Sequence, residues 1–419
     1  MLKVATCDRQ GAVYLDTDRV YRVIRQGQEN PVCDVLKKLD PSAITGMVST
    51  EICPAHDLPD GLAGSDETLV LKHSRISRIS YAHEWCASML KDCALFHLQL
   101  SQQLLSRDLY LKDAHPWNIL FEDGQFVFVD FTSVVSSDSL LAEDYLRSNQ
   151  TYRQADEATR LAMVTSEVFE RMYLPYFLYP LFAYAYGRGK LVPKLLLRTT
   201  LNASTSTITA RHCMPKIRVG RSLVKNLYGL LRSNRRLHKM LASLRHDRNV
   251  AKFYSQVKQL VSCLQVAGRS SAYASYYSEK GEDQDVEYSE QWNAKQKAVH
   301  AAINSAEINT VLDVACNTGW FALMAEKLGK SVVAFDIDEG CIEYLYNRIK
   351  MERLRILPLV MNLTDLTSDR YSIYDGNKVL INARERLKSD SLLALGIIHH
   401  LVLGLGLSFD EVLKMLPYP

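Results

Sequence analysis

The chain has 419 residues, 47% of them hydrophobic and 23% charged, and its 50 basic and 47 acidic side chains nearly balance. Those totals describe an ordinary soluble protein with real cores and exclude a disordered one, and at ~100–200 residues per domain they allow two or three units. Nine cysteines (Cys7, Cys33, Cys53, Cys86, Cys93, Cys213, Cys263, Cys316 and Cys341) stand singly without a C-x-x-C pair. Neither a zinc site nor a disulfide framework is expected, and the thiols read as reduced, in a cytoplasmic protein.

The N-terminal stretch carries acids and no apolar core, so no secretory signal is expected. Residues 1–75 read as a β-rich segment. AVYLDT, RVYRVIR, AITGMVSTEI and ETLVLKH have the β-branched and aromatic content of strands, and ENPVCDVLKKL between them reads as a helix. Residues 76–265 are mostly helical by pattern. Within them, residues 84–109 repeat apolar side chains at three- and four-residue spacing, as a long amphipathic helix does. That helix runs into LKDAHPWNILFEDGQFVFVDF, where an Asp-Gly turn precedes a short strand, FVFVD.

This loop holds Asp113, Asn118 and Asp130 in the order D-x4-N…D-F, which resembles the catalytic loop of protein kinases and aminoglycoside phosphotransferases. The resemblance implies a kinase-like region of two lobes, in which Asp113 accepts a substrate proton while Asn118 and Asp130 hold magnesium. The surroundings depart from that pattern. DRQGAVYLD has one glycine where a Gly-rich loop belongs, and Lys112 precedes Asp113. Lys72 lies on the strand just before the long helix, so Arg22 is the nearest stand-in for the phosphate-binding lysine. Three readings stand in descending order: a degenerate kinase-like scaffold, an unrelated structural loop, and a working phosphotransferase.

The longest apolar segment, YLPYFLYPLFAYAYG at 173–187, is about 15 residues long, short of the ~20 that a spanning helix needs, so no transmembrane segment is expected. A buried helix pair is expected instead, with breaks in the helical pattern near Pro175, Pro180, Gly187, Pro193 and Pro215. Residues 211–259 hold thirteen Lys or Arg and one acid, Asp247, in a chain of net charge +3. Leucines recur among them at helical spacing, so amphipathic basic helices are expected. A solvated face paired with acids elsewhere is the plain reading, and an anionic glycolipid or membrane surface the sharper one. No aromatic platform is interleaved, which argues against nucleic acid. Residues 266–290, rich in Ser, Gly and acids, suit a linker or a mobile cap.

Residues 291–419 alternate strand and helix, the pattern of an α/β unit of Rossmann-like class. In TVLDVACNTGWFALMAEKLGKSVVAFDID, a strand Thr310–Val314 gives way to a turn Ala315–Gly319 and a helix, and the next strand ends on Asp336. Ligands of open α/β sheets sit beyond the carboxyl ends of the strands, and an acid about 20 residues after the turn can accept both hydroxyl protons of a ribose. The turn is not G-x-G-x-x-G. It offers Gly319 alone, and Asp313 at its start would repel a pyrophosphate. A ligand with an ammonium or sulfonium charge and no phosphate suits these carboxylates, which favours S-adenosylmethionine over NAD. Asp313 taken alone also has a plain reading, as a helix cap, which weakens once Asp336, Gly319 and the fourth strand stand in register with it.

The unit thus resembles a class I S-adenosylmethionine-dependent methyltransferase. The resemblance implies that Asp313, Ala315, Asn317 and Gly319 cradle the methionine part of the cofactor. It implies that Asp336 holds the ribose, with Asp338 also among the cofactor-binding residues, and that Asn362 in LPLVMNLTD lies by the adenine. It further implies that LLALGIIHHL brings His399 or His400 to the methyl acceptor as the catalytic group. One histidine would face the cleft and take a proton from the acceptor, and the other would enter packing. Methyl transfer asks mainly for alignment of the nucleophile with the sulfonium carbon, so a base is optional. Ala315 and Asn317 stand where many such enzymes have glycines, and Asn362 where an acid is commoner.

DVACNTG, VVAFDID and GIIHHL, with SYAHEWCASMLKDCALF and LKDAHPWNILF, resemble a bacterial family that joins this unit to an N-terminal region. The family includes a host-range nodulation protein of rhizobia, which implies a small-molecule or glycan acceptor in a carbohydrate or lipo-oligosaccharide signal pathway. Only four strands of a seven-stranded sheet can be placed before the final residue, so a fragment or a truncated product is expected. Two rivals remain: a phosphotransferase with a vestigial methyltransferase half, and a non-catalytic scaffold of two decayed enzyme folds.

Overall fold

A computed structural model of the chain describes residues 2–4, 11–39, 44–59, 62, 69–142, 146, 149–201, 221–266, 271, 273, 286–365, 373–374, 377–378 and 383–417. At the N-terminal end, β1 (Leu2–Val4), β2 (Gly11–Leu15), β3 (Arg19–Ile24), β4 (Thr50–Ile52) and β5 (Val70–Ser74) make one antiparallel sheet in the order β1-β2-β3-β5-β4. Helix α1 (Glu29–Lys38) connects β3 to β4. Tyr21 pairs with Lys72 and Arg22 with Leu71, so the two-residue period of the strands sends Arg22 and Lys72 to opposite faces. AITGMVSTEI is a strand only over Thr50–Ile52. Its Gly46 is left-handed (φ 88°), and a β-carbon there would fall 2.3 Å from the Phe96 ring, so the chain turns where it was expected to run straight.

Helix α2 (Ala87–Leu105) buries Met89, Leu90, Cys93, Ala94, Leu98 and Leu104 along one face. It ends short of residue 109 because Asp108 turns left-handed (φ 55°) and β6 (Leu109–Leu111) begins. Strands β7 (Ile119–Glu122) and β8 (Gln125–Phe128) form a hairpin closed by Asp123 and Gly124. Both are left-handed (φ 48° and 74°), as a two-residue turn between twisted strands requires. Strand β9 (Val134–Ser136) pairs back onto β6.

Helices α3 (Ser137–Ala142), α4 (Gln150–Gln154) and α5 (Glu157–Val168) follow. The expected breaks at Pro175 and Pro180 do not occur. Helix α5 continues through wide π-type turns over Phe169–Leu178 into α6 (Tyr179–Ala185). Wider turns relax the ladder where Pro175 has no N–H to donate. After α7 (Val192–Leu201), the basic region over its described part is a helix pair, α8 (Arg221–Asp247) and α9 (Val250–Cys263), joined at left-handed Arg248. Among the described residues no helix is long and apolar enough to cross a membrane.

Helix α10 (Ala294–Ile303) starts at a reciprocal cap: Asn293 accepts the Gln296 N–H and the Gln296 side chain accepts that of Asn293. There follow β10 (Thr310–Val314), α11 (Trp320–Lys327), β11 (Ser331–Asp336), α12 (Glu339–Glu352) and β12 (Ile356–Val360). A two-strand hairpin, β13 (Ile373–Tyr374) and β14 (Asn377–Lys378), precedes α13 (Ala383–Arg386), β15 (Ser391–Leu393) and α14 (Phe409–Met415). β10, β11, β12 and β15 form a parallel sheet in the order β12-β11-β10-β15. Val311, Leu312 and Val314 of β10 and Val332 through Phe335 of β11 are all buried, as strands covered on both faces must be. The chain moves outward from β10 on one side and returns to its other side as β15. The carboxyl end of β10 is therefore the topological switch point, where open α/β sheets take their ligands.

The N- and C-terminal parts share one apolar core. Helix α12 lies on α2, with Asp92 accepting from the Tyr346 hydroxyl at 2.8 Å and from Lys350 at 2.6 Å. Ser88 bonds Glu343, and Arg386 pairs with buried Glu84 while covering the Tyr81 ring. Tyr81, Glu84, Ser88 and Asp92 all come from SYAHEWCASMLKDCALF, so this motif is where the α/β unit is fastened.

Candidate functional site

The turn after β10 is built from alternate left-handed residues: Ala315 (φ 56°), Asn317 (φ 52°) and Gly319 (φ 81°). Left-handed backbone costs most L-residues about 1–2 kcal/mol, so Ala315 holds strain at the switch point, while Asn317 offsets its own by accepting the Thr318 N–H. Gly319 opens α11, and a β-carbon on it would lie 2.7 Å from Leu345 Cδ1 on α12. Its bare face is thus taken up by helix packing, and its backbone alone borders the turn.

Asp336, at the tip of β11, pins this turn. Its Oδ2 accepts the Asn317 N–H at 2.8 Å and its Oδ1 accepts the Asp338 N–H at 2.9 Å. Burial raises its pKa, against the pull of those two N–H groups. Asp313, near the end of β10, is only 2% exposed, and its Oδ2 has no hydrogen-bond partner. Burial first, and then the Asp336 charge, push its pKa up to about 7, while the Ala322 N–H and Lys295 pull the other way. A buried carboxylate with an orphaned oxygen is costly unless a cation or donor completes it.

That orphaned oxygen fits the cationic part of S-adenosylmethionine, and the half-buried Asp336 carboxylate beside it fits ribose hydroxyls. Asp338 caps α12: its Oδ1 accepts the N–H groups of Gly340 and Cys341, and its Oδ2 accepts the Ser271 hydroxyl at 2.8 Å. Asn362 stands at the carboxyl end of β12, where its Oδ1 accepts the Thr364 N–H at 3.1 Å. His399 and His400 both lie exposed, with ring centroids 4.1 Å apart. The expected burial of one of them does not occur. Left-handed Gly396 turns the chain soon after β15, and the wide helical turn His400–Gly404 begins at the histidine pair.

Three further residues at this edge carry little signal in the sequence. Ile337, directly after Asp336, is 65% exposed, an unusual position for a large aliphatic side chain. Its only signal was an apolar residue between two acids at a strand end. Ser271 and Tyr273 come from the stretch read as a linker, and nothing in its composition marked them.

The second expected cluster is also assembled. The Ser133 hydroxyl lies 2.5 Å from Asp130 Oδ2 and 3.1 Å from Asp113 Oδ2, and the Asn118 amide donates to it at 3.2 Å. Arg22, reaching in from β3, donates to Asp130 Oδ1 at 2.9 Å and to the Thr132 hydroxyl at 2.7 Å. Burial would raise the Asp130 pKa, but the Arg22 charge and the Ser133 and Thr132 hydroxyls together hold it below the usual carboxylate value. Lys72 faces the other way and pairs with Glu51 and Asp57.

In the basic helix pair, Arg245 pairs with Glu170, Arg248 with Asp156 and Lys252 with Asp247. Residues 211–220 of that charged stretch lie outside the described residues.

Fold and edge together define the C-terminal unit as an open, parallel, Rossmann-like sheet with an acid-lined turn at its switch point. No protein-family model matches the chain. It is similar to the nodulation protein NoeA of Rhizobium meliloti (strain 1021), with 25% identity over 364 residues, 82% of this chain and 67% of that protein. It is also 40% identical over 70 residues to the ribosomal protein L11 methyltransferases of Thermotoga petrophila and Thermotoga maritima. Those 70 residues are 16% of this chain and 25% of each methyltransferase.

Proposed function

We propose that the chain is an S-adenosylmethionine-dependent methyltransferase whose cofactor lies at the turn 315–319. The observation that carries this reading is Asp313, a fully buried carboxylate with one oxygen unsatisfied, next to a second raised carboxylate at the sheet's switch point. When bound, that cofactor supplies a methyl group on a positively charged sulfur. Asp313 would face the cationic part of the ligand, and in its ionised form it would regain the partner it lacks. Asp336 keeps a further lone pair on each oxygen, suited to ribose hydroxyls, after accepting its two backbone N–H groups. Ile337 offers an exposed apolar face to a flat base, and Asn362 stands on that side of the sheet.

His399 and His400, exposed after β15, are assigned to the acceptor side, where either could take the proton released from a hydroxyl or amine. The names of the L11 methyltransferases support the reaction class, and that of NoeA supports a role in nodulation; the acceptor we assign is a small molecule or glycan in a carbohydrate signal pathway, and the compartment we assign is the cytoplasm. The anionic-surface role of 211–259 is the weaker partner proposal, since several of its described cations already have acids. We assign the region before residue 266 to a supporting scaffold of kinase-like descent. The rival phosphotransferase is disfavoured because Arg22 already neutralises Asp130, the carboxylate a magnesium ion would need.

Calorimetric titration of the full chain with S-adenosylhomocysteine, beside a titration with Mg-ATP, tests the proposal. Binding of the first ligand that is lost in Asp336→Ala supports it. Binding of Mg-ATP alone would replace it with the phosphotransferase, and no binding of either would leave a scaffold.

A further inference from the structure

Asp336 and Asn317 are not the outermost layer of the turn. The Ser271 hydroxyl donates to Asp338 Oδ2 at 2.8 Å and lies 3.3 Å from Cys341 Sγ. Two residues on, the Tyr273 N–H donates to the Ser271 oxygen at 2.9 Å, and the Tyr273 carbonyl accepts from the Asn317 side-chain amide at 3.2 Å. The backbone at Tyr273 is thus held from both sides. Asn317 makes the decisive link, because its backbone N–H is the group that Asp336 accepts while its side chain reaches Tyr273. Its own Oδ1 accepts the Thr318 N–H, which fixes the amide orientation.

Two large apolar side chains stand in water at this place: Tyr273, 60% exposed, and Ile337, 65% exposed. Ile337 lies between the two acids, Asp336 and Asp338, that bind Asn317 and Ser271. Two exposed hydrophobic side chains beside one polar turn, one on a backbone bonded to Ser271 and Asn317 and the other between the two acids that bond the turn, are the lining that a flat amphipathic ligand covers.

We propose, building on the methyltransferase reading, that Ser271 and Tyr273 form the outer wall of the nucleoside end of the pocket. Tyr273 contacts the ligand through its ring. Ser271 is a positioning residue, which holds Tyr273 against Asn317 through its bond to Asp338. The ligand class this wall takes is a 5′-thio-substituted adenosine, and its contacts are to the nucleoside rather than to the amino-acid tail, which belongs to Asp313.

The test uses the full chain and two probes, S-adenosylhomocysteine and 5′-methylthioadenosine, the second of which lacks the amino-acid tail. Calorimetry on Tyr273→Ala and Ser271→Ala is expected to show about tenfold weaker binding of both probes. Tyr273→Phe and Ser271→Thr are expected to bind within about twofold of the wild type, and melting of the ligand-free variants to stay unchanged. Asp313→Asn is expected to weaken the first probe and spare the second. If the wild type binds neither probe, the nucleoside reading falls and the wall falls with it. If the wild type binds both, and Tyr273→Ala and Ser271→Ala bind as tightly, the wall alone is overturned. Loss confined to S-adenosylhomocysteine in those variants would also overturn it, since the contact would then lie at the amino-acid end.

Discussion

Asp336 accepts the backbone N–H of Asn317 at 2.8 Å, so the acid assigned to a ribose also shapes the turn that would enclose the ligand. Structure and recognition rest on one carboxylate, and removing it should damage both. Asp336→Ala strands the N–H groups of Asn317 and Asp338, each costing about 1–3 kcal/mol when shielded from water. Urea unfolding should register a loss of about 1–3 kcal/mol, less than the sum because the turn can relax toward solvent. Asp336→Asn keeps one carbonyl acceptor and should recover most of that stability while still failing to bind S-adenosylhomocysteine.

Asp313 gives a prediction with a defined sign. Its pKa in the folded protein is raised to about 7, above the ~3.9 of an exposed carboxylate. The folded state therefore holds this proton more tightly than the unfolded chain. Stability from this group is full at low pH and is lost as pH rises between ~4 and about 7, after which the cost is constant. Asp313→Asn carries no charge, so at pH 8 it should be more stable than the wild type, by on the order of 2–4 kcal/mol, with the difference vanishing at acid pH. Urea titrations at pH 4 and pH 8 measure it. Binding of S-adenosylhomocysteine, which needs the ionised form, should strengthen as pH rises through the same window in the wild type only.

Much of this arrangement was legible in the sequence, because it is local. The strand, turn and helix at 310–327 announce themselves by a buried run, small residues and an amphipathic repeat, and the Asp-Gly pair at 123–124 dictates its hairpin. The resemblance puts Gly319 in the cofactor turn, and its bare face packs on Leu345, which leaves its backbone to border that turn. The pattern gives a glycine's backbone freedom but not what approaches it. Distant pairings were illegible. Arg22 meets Asp130 across 108 positions, and Ser271 meets Asp338 across 67, distances at which no periodicity carries information. The helix through Pro175 was missed for another reason: a proline's missing donor breaks a regular ladder, but wide turns had room for it.

Gly319 supplies a packing prediction. Alanine at φ 81° costs about 1–2 kcal/mol in backbone conformation alone, and its β-carbon would meet Leu345 Cδ1 at 2.7 Å. Leu345→Ala alone opens a cavity in a buried position, a loss of about 2–5 kcal/mol. The double variant should lose less than the sum of the two, because the clash disappears with the leucine. A urea double-mutant cycle reads the coupling, and strict additivity would mean that Gly319 is needed for its conformation only.

The Arg22–Asp130 pair makes the last prediction, and it also weighs the rival activity. Arg22 is 6% exposed and its guanidinium bonds both Asp130 and Thr132. Arg22→Met leaves the carboxylate without its counter-charge, which should cost about 3–5 kcal/mol, whereas Arg22→Met with Asp130→Leu should recover most of it. The Asp130 pKa is lowered in the folded protein, so its stabilisation is present above the ordinary carboxylate range and is lost as pH falls through the folded value. Wild-type urea midpoints should therefore drop below pH 4 more steeply than those of the double variant. If Arg22 stands where a phosphotransferase would seat magnesium, adding magnesium should leave the wild-type midpoint unchanged. A magnesium-dependent rise in that midpoint would show that the ion displaces the guanidinium, and would return the acidic loop to catalysis.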